Sequence, residues 1–356
     1  MHTTETIPLS SHSLATERAL TVHKYGTPDK RPKVYIQAGL HADELAANLT
    51  AFHLAQRLRE ADITGEIVLV PLANPPGLAQ MVTRTHLGRS DLATGQNYNR
   101  GHFDVTKKLA GQKLATTEEV RAAMGKTLAA IKPQLEIEEL QHTLMMLAHD
   151  ADIVLDLHTD SDAELHLYLD PDQWPGAEDL AAWLDVPVVM LSRGSGGSPF
   201  EEALSAPFIA AGVNAPLSVV VELRGRADAF DELAEKDADA LFRFLQGRGA
   251  VAGDPGAKPA FKGGAAPFEH TAFINAPAPG IIAYKKELGL HVKAGETIAE
   301  IVDVRATDGG RTPVPAPTSG RLFARSLNKI ARPGMSIGKI FGTEPIKGRS
   351  GYLLSD

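Results

Sequence analysis

Short apolar runs alternate with helix-like stretches over residues 33–250, and this alternation is the strongest constraint on the fold. The runs "KVYIQAG", "EIVLVPLA", "ADIVLDLH", "VPVVML" and "LSVVVELRG" are typical of buried strands, and helical periodicity fills the segments between them. Strands that are apolar on both faces belong to a sheet that is covered by helices on both sides. The pattern therefore predicts an α/β fold with a mixed, mainly parallel sheet flanked by helices.

The composition changes after residue 250, and this change divides the chain. Residues 251–270 are rich in Gly, Pro and Ala and lack periodicity, which is typical of a linker. In residues 271–356 an Ala-Pro-x-x-Gly sequence followed by short strands occurs twice, and two such halves can interlock into a small β-sandwich. We therefore predict a first domain over 1–250, a linker over 251–270 and a barrel-like sandwich domain, similar to lipoyl and biotinyl domains, over 271–356.

Charge and composition narrow the functional classes. The formal net charge of −8 argues against a nucleic-acid partner, because a surface that follows phosphates normally carries a basic excess. No apolar run approaches the length of a membrane span, and the first residues lack the features of a secretory signal, so we expect a cytoplasmic protein without a membrane partner. The chain has no cysteine, so a bound metal would have to rest on His, Asp and Glu.

Four side chains that can bind a metal or move a proton follow the predicted strands. His41 and Glu44 come directly after the first strand, His158 ends the third, and Glu222 lies at the end of the fifth. Open parallel sheets bind their ligands at the carboxyl ends of the strands, so we expect these side chains to meet. Two histidines and one carboxylate are a common ligand set of catalytic zinc, and Glu222 would then be available as a general base.

The motifs "GLHADE", "ANPPG", "GRSDLATGQNYNR", "DLHT" and "VELRG" occur in this order along the chain. Because it contains these motifs in this order, the sequence resembles the succinylglutamate desuccinylase/aspartoacylase family, a branch of the zinc carboxypeptidase-like fold. The resemblance covers most of residues 33–345, and the tail over about 272–342 resembles the β-barrel appendage of that family. It implies one zinc ion per chain, bound by His41, Glu44 and His158.

The resemblance also implies the residues that act on the substrate. Glu222 corresponds to the general base, and Arg100, with Asn99 beside it, corresponds to the arginine that grips a substrate carboxylate. A guanidinium suits that role because it pairs with a carboxylate through two parallel hydrogen bonds. Arg89 is our choice for the residue that polarises the scissile carbonyl, and Arg84 is its competitor.

The resemblance also implies that a residue of the β-sandwich reaches the site, and Tyr284 is the candidate for this substrate contact. The sequence departs from the family at Arg224, where small residues are usual, and in the long loop over 101–135. Both departures bear on the substrate rather than on the chemistry.

Together these features indicate a zinc-dependent amide hydrolase, a deacylase that acts on a small N-acyl amino acid or a similar carboxylated amide. One alternative is a metallocarboxypeptidase that trims peptides, although an appendage above the site would restrict long chains. A second alternative is a non-catalytic small-molecule-binding protein on the same fold, and the presence of Glu222 argues against it. The sequence does not identify the acyl group or the amino-acid part of the substrate. It also leaves the oligomeric state open, so both a monomer and a homo-oligomer are compatible with it.

Overall fold

The computed structural model describes residues 1–10, 13–194 and 196–346. The helices are α1 (Leu45–Glu60), α2 (Pro75–Leu78), α3 (Thr106–Leu109), α4 (Thr117–Ala129), α5 (Glu136–Ala148), α6 (Trp174–Trp183), α7 (Phe200–Ala211) and α8 (Asp231–Gly247). Short 3₁₀ turns occur at Pro171–Gln173 and Phe268–His270. None of the helices in this part of the chain combines the length and the apolar character needed to cross a bilayer.

The first part of the chain is built on one large sheet. Its strands, together with two small hairpin strands and one short bridging strand, are β1 (His2–Leu9), β2 (Arg18–Gly26), β3 (Lys33–Ala38), β4 (Glu66–Val70), β5 (Met81–Val82), β6 (Thr85–His86), β7 (Ile153–Asp160), β8 (Asp162–Ala163), β9 (His166–Leu169), β10 (Val188–Leu191), β11 (Leu217–Gly225) and β12 (Gly264–Pro267). Nine of these described strands form the sheet in the order β1-β2-β4-β3-β7-β11-β9-β10-β12.

The sheet is mixed and mainly parallel, as the sequence predicts. The pairs β4-β3, β3-β7, β7-β11, β9-β10 and β10-β12 are parallel, whereas β1-β2, β2-β4 and β11-β9 are antiparallel. The five strands expected from apolar runs are all present as β3, β4, β7, β10 and β11. The edge strand β12 lies inside the segment 251–270 that the composition suggested as a linker.

Helices cover both faces of the sheet, which explains why its central strands are apolar throughout. Helices α1, α6 and α8 pack on one face, and α4, α5 and α7 pack on the other. On the first face, Leu54 and Leu58 of α1 and Leu241 and Phe244 of α8 are 0–1% exposed. Burying a side chain of this size stabilises a fold by about 1.5–3 kcal/mol. The two apolar layers hold the strands in register and so fix the positions of the strand ends.

The C-terminal strands form two small antiparallel sheets. They are β13 (Thr271–Asn275), β14 (Gly280–Tyr284), β15 (His291–Val292), β16 (Thr297–Val302), β17 (Arg311–Pro315), β18 (Gly320–Arg325), β19 (Ile330–Ala331) and β20 (Ser336–Gly342). One sheet has the order β13-β20-β18-β15 and the other has the order β17-β16-β14-β19. Each sheet therefore combines strands from both sequence repeats, which is the interlocked sandwich that the repeat predicts.

The sandwich, defined here as β13–β20, contacts the large sheet next to the end of β7. Strand β18 pairs with β8, which follows β7 directly. Three ion pairs between described residues cross the junction: Lys339 to Asp160 at 2.6 Å, Arg325 to Asp162 at 3.0 Å and Arg321 to Glu164 at 2.7 Å. The sandwich thereby covers the edge of the sheet at which the sequence places the candidate site residues.

The ion pair between Lys339 and Asp160 gives a test of this junction. Replacing the lysine, Lys339→Met, leaves a largely buried carboxylate without its partner and is expected to lower the free energy of unfolding by about 1–3 kcal/mol. Urea denaturation followed by circular dichroism measures the loss. The matched control is Lys293→Met, because Lys293 is an exposed lysine of the same sandwich. Equal stability of the two variants would contradict the importance of the pair.

Candidate active site

A cavity of about 330 Å³ opens at the carboxyl ends of the central strands. The turn after β3, the ends of β7 and β11, and the sandwich strands β18 and β20 all contribute to its wall. Its ionisable lining residues are His41, Glu44, Arg89, Arg100, His158, Asp160, Tyr168, Glu201, Glu222, Arg226, Arg325 and Lys339. The structure thus brings His41, Glu44, His158 and Glu222 together at one edge of the sheet.

Two imidazoles converge on one carboxylate at the floor of this cavity. The Nδ1 atom of His41 lies 3.0 Å from Oε1 of Glu44, and Nδ1 of His158 lies 2.9 Å from Oε2 of the same carboxylate. One ligand atom from each residue can be chosen so that all three lie within 4.8 Å of one another. All three residues are buried, with 2–4% of their surface exposed. This arrangement can hold a metal ion.

The hydrogen bond made by Nε2 of His41 determines which of its two ring nitrogens carries the proton in the neutral form. Its Nε2 lies 2.9 Å from the side-chain oxygen of Asn97, and that oxygen also accepts the backbone N–H of Asn99 at 2.8 Å. Because a backbone N–H can only donate, the Asn97 atom is an acceptor, and Nε2 of His41 must therefore be the donor. In the neutral ring this leaves the lone pair of Nδ1 directed at the cavity, as metal binding requires.

His158 is oriented in a similar way by Asp156. Its Nε2 lies 3.0 Å from Oδ2 of Asp156, whose other oxygen accepts a hydrogen bond from Gln37 at 2.9 Å. A carboxylate behind a histidine fixes the orientation of the ring and makes its other nitrogen a better ligand. When both rings are neutral, two lone pairs and a carboxylate face one another, and this donor set is complete only with a proton or a cation between them. Ligands of a tetrahedral zinc at 2.0–2.2 Å stand about 3.3–3.6 Å apart, somewhat farther than the 2.9–3.0 Å that separate Glu44 from the two rings here.

The electrostatics of the protein without metal agree with this geometry. Burial opposes the charged form of Glu44, but the His41 and His158 rings outweigh it and hold the pKa of Glu44 well below its usual value. Burial likewise opposes the charged form of His158, yet the Asp156 and Glu44 carboxylates raise its pKa well above the usual value. The site therefore favours positive charge at the position between Glu44 and the rings.

Glu222 faces the same cavity from the neighbouring strand. It is aligned with His158 in the pairing of β7 with β11, and its Oε2 atom is buried with no hydrogen-bond partner among the described residues. Burial first, and then repulsion by the Glu44 carboxylate, raise the pKa of Glu222 to about 8. A carboxyl whose pKa lies near neutrality can both accept and return a proton, which is the property of a general base.

The structure separates the two arginine candidates. Arg89 lines the cavity, and its Nη1 lies 3.2 Å from Nδ1 of His41 and 3.4 Å from Oε1 of Glu44. Arg84 is exposed at the turn between β5 and β6 and is not among the residues that line the cavity. Of the two, only Arg89 is close enough to act on a group bound beside the histidines.

Arg100 and Asn99 also lie at the cavity, on the side nearest to α7. Nδ2 of Asn99 is 3.4 Å from Nε2 of His158, and its Oδ1 accepts the backbone N–H of Phe200, the first residue of α7, at 2.9 Å. Nη1 of Arg100 donates to the carbonyl of Asn99 at 2.7 Å. The guanidinium is therefore held at the cavity wall by its own loop.

The structure places Tyr284 and Arg224 away from the cavity. The hydroxyl of Tyr284 donates to the carbonyl of Ile337 at 2.6 Å within the sandwich, so the expected substrate contact has no support. Arg224 forms an ion pair with Asp237 of α8, and it does not line the cavity either. The predicted influence of Arg224 on the substrate therefore also has no support.

The segment 101–135, which the sequence suggested as a long loop, contains the helices α3 and α4.

Sequence reasoning missed several residues of the cavity wall. Lys339 of β20 reaches Asp160 at the end of β7, and Arg226 follows β11 and pairs with Asp43. Glu201 comes from the first turn of α7. The position of Asp160 at the end of a predicted strand was a usable signal for that residue. Lys339 carries no such signal, because it reaches the site only through the docking of the sandwich.

Comparisons with known proteins agree with this architecture. The catalytic domain of the succinylglutamate desuccinylase/aspartoacylase family matches residues 30–248. A family protein from Shewanella amazonensis SB2B has 25% identity and a TM-score of 0.82, with 96% of this chain and 99% of that chain covered. One from Shewanella frigidimarina NCIMB 400 has 24% identity and a TM-score of 0.84, with 97% and 99% covered. Comparison with curated proteins finds no match.

A more distant structure shares the fold. It is the product-bound ectoine utilization protein EutE (DoeB) from Ruegeria pomeroyi, with 16% identity, a TM-score of 0.70, and 96% of this chain and 95% of that chain covered. The family match spans more than half of the sequence. The chain belongs to the succinylglutamate desuccinylase/aspartoacylase family, whose members are hydrolases of the deacylase type.

The contact between Asp156 and His158 gives a test of the candidate metal centre. The variant Asp156→Asn keeps the shape of the side chain but removes the charge behind His158, and we expect about 10- to 100-fold weaker zinc binding. Competition with a chromophoric chelator measures the affinity. Asp150→Asn is the matched control, since Asp150 pairs with Lys33 before the same strand. Unchanged affinity in Asp156→Asn would show that this carboxylate does not support a metal ligand.

Proposed function

We propose that this protein is a zinc-dependent amide hydrolase that removes the acyl group from a small N-acyl amino acid or a similar carboxylated amide. The observation that carries the proposal is the convergence of His41 and His158 on Glu44 in a cavity that also contains the unpartnered carboxyl of Glu222. Membership of a deacylase family supports the same reaction class.

His41, Glu44 and His158 would hold the metal. Two imidazoles and one carboxylate form a ligand set that suits catalytic zinc. A zinc ion in this position supplies Lewis acidity, which polarises the amide carbonyl and lowers the pKa of a water molecule. The other contributions come from the side chains of the cavity wall.

Glu222 is proposed to move the proton. In its ionised form it removes a proton from the attacking water, and in its protonated form it delivers that proton to the nitrogen of the leaving amine. A pKa near 8 makes both forms accessible close to neutral pH, and a cation held near Glu44 would lower that value. Arg89, whose Nη1 lies beside His41 and Glu44, is proposed to stabilise negative charge that develops on the carbonyl oxygen.

Arg100 and Asn99 are proposed to position the substrate. The guanidinium can take up a carboxylate of the amino-acid half in a bidentate contact, which orients the amide toward Glu222. Because the loop of Arg100 is fixed by hydrogen bonds to its own backbone and to α7, little ordering is needed when the substrate binds. A carboxylate on the substrate is therefore part of the proposal.

The two alternatives are less well supported by the same cavity. A carboxypeptidase that acts on peptides needs space for a long chain, whereas here the sandwich residues Ser326, Gly338 and Lys339 form part of the cavity wall. A non-catalytic binding protein would not need a partly buried carboxyl with a raised pKa beside the candidate metal site. Glu222 has both properties, and it favours the hydrolase.

Glu222 gives the direct test of the proposed reaction. The variant Glu222→Gln cannot accept a proton, and we expect kcat to fall by about 10²- to 10⁴-fold on the N-acyl amino acid that the parent hydrolyses fastest. The assay measures free amine released from a panel of N-acetyl and N-succinyl amino acids. Zinc content of the variant, measured by elemental analysis, should match that of the parent. Parental activity in a zinc-loaded Glu222→Gln protein would refute the assigned role.

Arg100 gives a separate test of substrate binding. The variant Arg100→Lys keeps the charge but loses the bidentate geometry, and we expect a rise in KM of about 10- to 100-fold. The matched control is the substrate analogue in which the carboxylate is replaced by a neutral amide. Arg100→Lys should leave the slow hydrolysis of this analogue unchanged. A similar loss on both compounds would mean that Arg100 does not recognise the carboxylate.

A further inference from the structure

One polar side chain interrupts the apolar stripe of helix α5. The buried positions of this helix recur at the three- and four-residue spacing of a core-facing surface, and they are Ile137, Leu140, Gln141, Leu144, Met145 and Ala148. Gln141, in the middle of this stripe, is 0% exposed. A buried amide lowers stability unless its polar atoms are hydrogen-bonded, so the partners of Gln141 indicate its use.

The partners of Gln141 belong to the loop over residues 97–100. Its Nε2 atom donates to the carbonyl oxygen of Tyr98 at 2.9 Å and to that of Arg100 at 2.8 Å. Both carbonyl oxygens can only accept, so the amide atom between them is the nitrogen. The other amide atom, Oε1, is buried with no hydrogen-bond partner among the described residues. The amide therefore supports the loop and makes no side-chain hydrogen bond to the rest of the described core.

Gln141 acts on the part of the loop that carries the proposed carboxylate-binding group. The two carbonyls that accept from it flank Asn99, and the carbonyl oxygen of Asn99 accepts Nη1 of Arg100 at 2.7 Å. The backbone and the guanidinium of Arg100 are thus held by a connected set of hydrogen bonds. This set begins on α5, a helix of 13 residues.

The start of the loop has anchors of its own. Oδ1 of Asn97 lies 2.9 Å from Nε2 of His41, and the backbone N–H of Tyr98 donates to the carbonyl oxygen of Arg89 at 3.1 Å. Neither contact involves Gln141. We therefore expect loss of its amide to loosen the end of the loop, while the surroundings of the candidate metal ligands stay in place.

We propose that Gln141 is a positioning residue for substrate recognition, because it holds Arg100 in the orientation that binds the carboxylate of the substrate. A guanidinium that is fixed before binding loses little conformational freedom when it forms two parallel hydrogen bonds. Gln141 itself does not touch the substrate, since it is fully buried and does not line the cavity. This inference rests on the proposed deacylase function and names a residue that determines substrate affinity at the same site.

The variant Gln141→Met tests this role in the zinc-loaded protein. Methionine keeps the length of the side chain and removes both donors. We expect KM for a carboxylated N-acyl amino acid to rise about 10-fold, with kcat changed less than about 3-fold, because a poorly oriented contact weakens binding. The analogue in which a neutral amide replaces the carboxylate should keep its KM. An equal rise in KM for both compounds would mean a general structural defect and would overturn the inference.

Gln173→Met is the matched control for the loss of a buried amide. Gln173 is also buried, and its Oε1 accepts the backbone N–H of Ser218 at 3.0 Å, at the opposite end of β11 from Glu222. We expect this variant to leave the ratio of the two KM values unchanged, whatever its effect on thermal stability. A similar change of the ratio in both variants would also overturn the inference.

A double variant assigns the effect to Arg100. In the Arg100→Lys protein the guanidinium is absent, so adding Gln141→Met should raise KM by less than about 2-fold. A full additional rise would show that Gln141 acts through another group and would overturn the inference. Gln141→Glu replaces Gln141→Met if that protein does not fold. Burial keeps the introduced carboxyl protonated, so one donor remains, and we expect a smaller rise in KM that again depends on the carboxylate.

Calorimetry separates this inference from the proposed function, because it requires no turnover. The ligands are free amino acids and their carboxamides, for example alanine with alaninamide and leucine with leucinamide. We expect the parent to bind at least one amino acid about 10-fold more tightly than its carboxamide, and Gln141→Met to lose this difference.

The outcomes of the binding measurement are distinct. The expected result in a protein without deacylase activity would support the positioning role and refute the proposed function. Turnover by a parent whose preference for the carboxylate survives in Gln141→Met would refute the positioning role alone. A parent that binds every amino acid and its carboxamide equally would also overturn the inference.

Discussion

The site depends on the carboxylate of Glu44, which links two separate parts of the chain. Its two oxygens lie 3.0 Å from Nδ1 of His41, in the same turn, and 2.9 Å from Nδ1 of His158 on β7. The carboxylate also accepts a hydrogen bond from the backbone N–H of Thr159 at 3.0 Å. Glu44 is also the N-cap residue of α1, yet its side chain does not cap that helix. A side-chain cap is worth about 1 kcal/mol, and here that contribution is forgone in favour of the contacts at the site. The strand ends, the candidate ligands and the cavity are therefore coupled through one residue.

The residues that could be predicted are those whose position follows from strand order. His41, Glu44, His158 and Glu222 all follow apolar runs, and parallel strands bring their carboxyl ends to one edge. The sandwich could be predicted because the sequence repeat is short and each half needs the other to bury its apolar face. Edge strand β1, "HTTETIPL", was missed because it is mostly exposed and has no apolar run.

The rest of the site depends on tertiary contacts that leave no local pattern. Lys339 becomes a cavity residue because β18 pairs with β8 and thereby places β20 over the end of β7. Glu201 faces the cavity because α7 is anchored to the loop of Asn99. Tyr284 shows the opposite case, since its hydroxyl bonds to Ile337 inside the sandwich and does not reach the cavity. A sequence can show which residues end a strand, whereas the wall above the strand ends depends on how distant segments pack.

The proposed function requires a zinc ion held by the Nδ1 atoms of His41 and His158 together with Glu44. Anomalous diffraction at the zinc absorption edge, from crystals of the zinc-loaded protein, locates such an ion and its ligand atoms. We expect one strong peak per chain at about 2.0–2.2 Å from both Nδ1 atoms and from an oxygen of Glu44, with Nε2 of His41 still hydrogen-bonded to Asn97. A peak at another place, or ligation through the Nε2 atoms, would rule out this metal site.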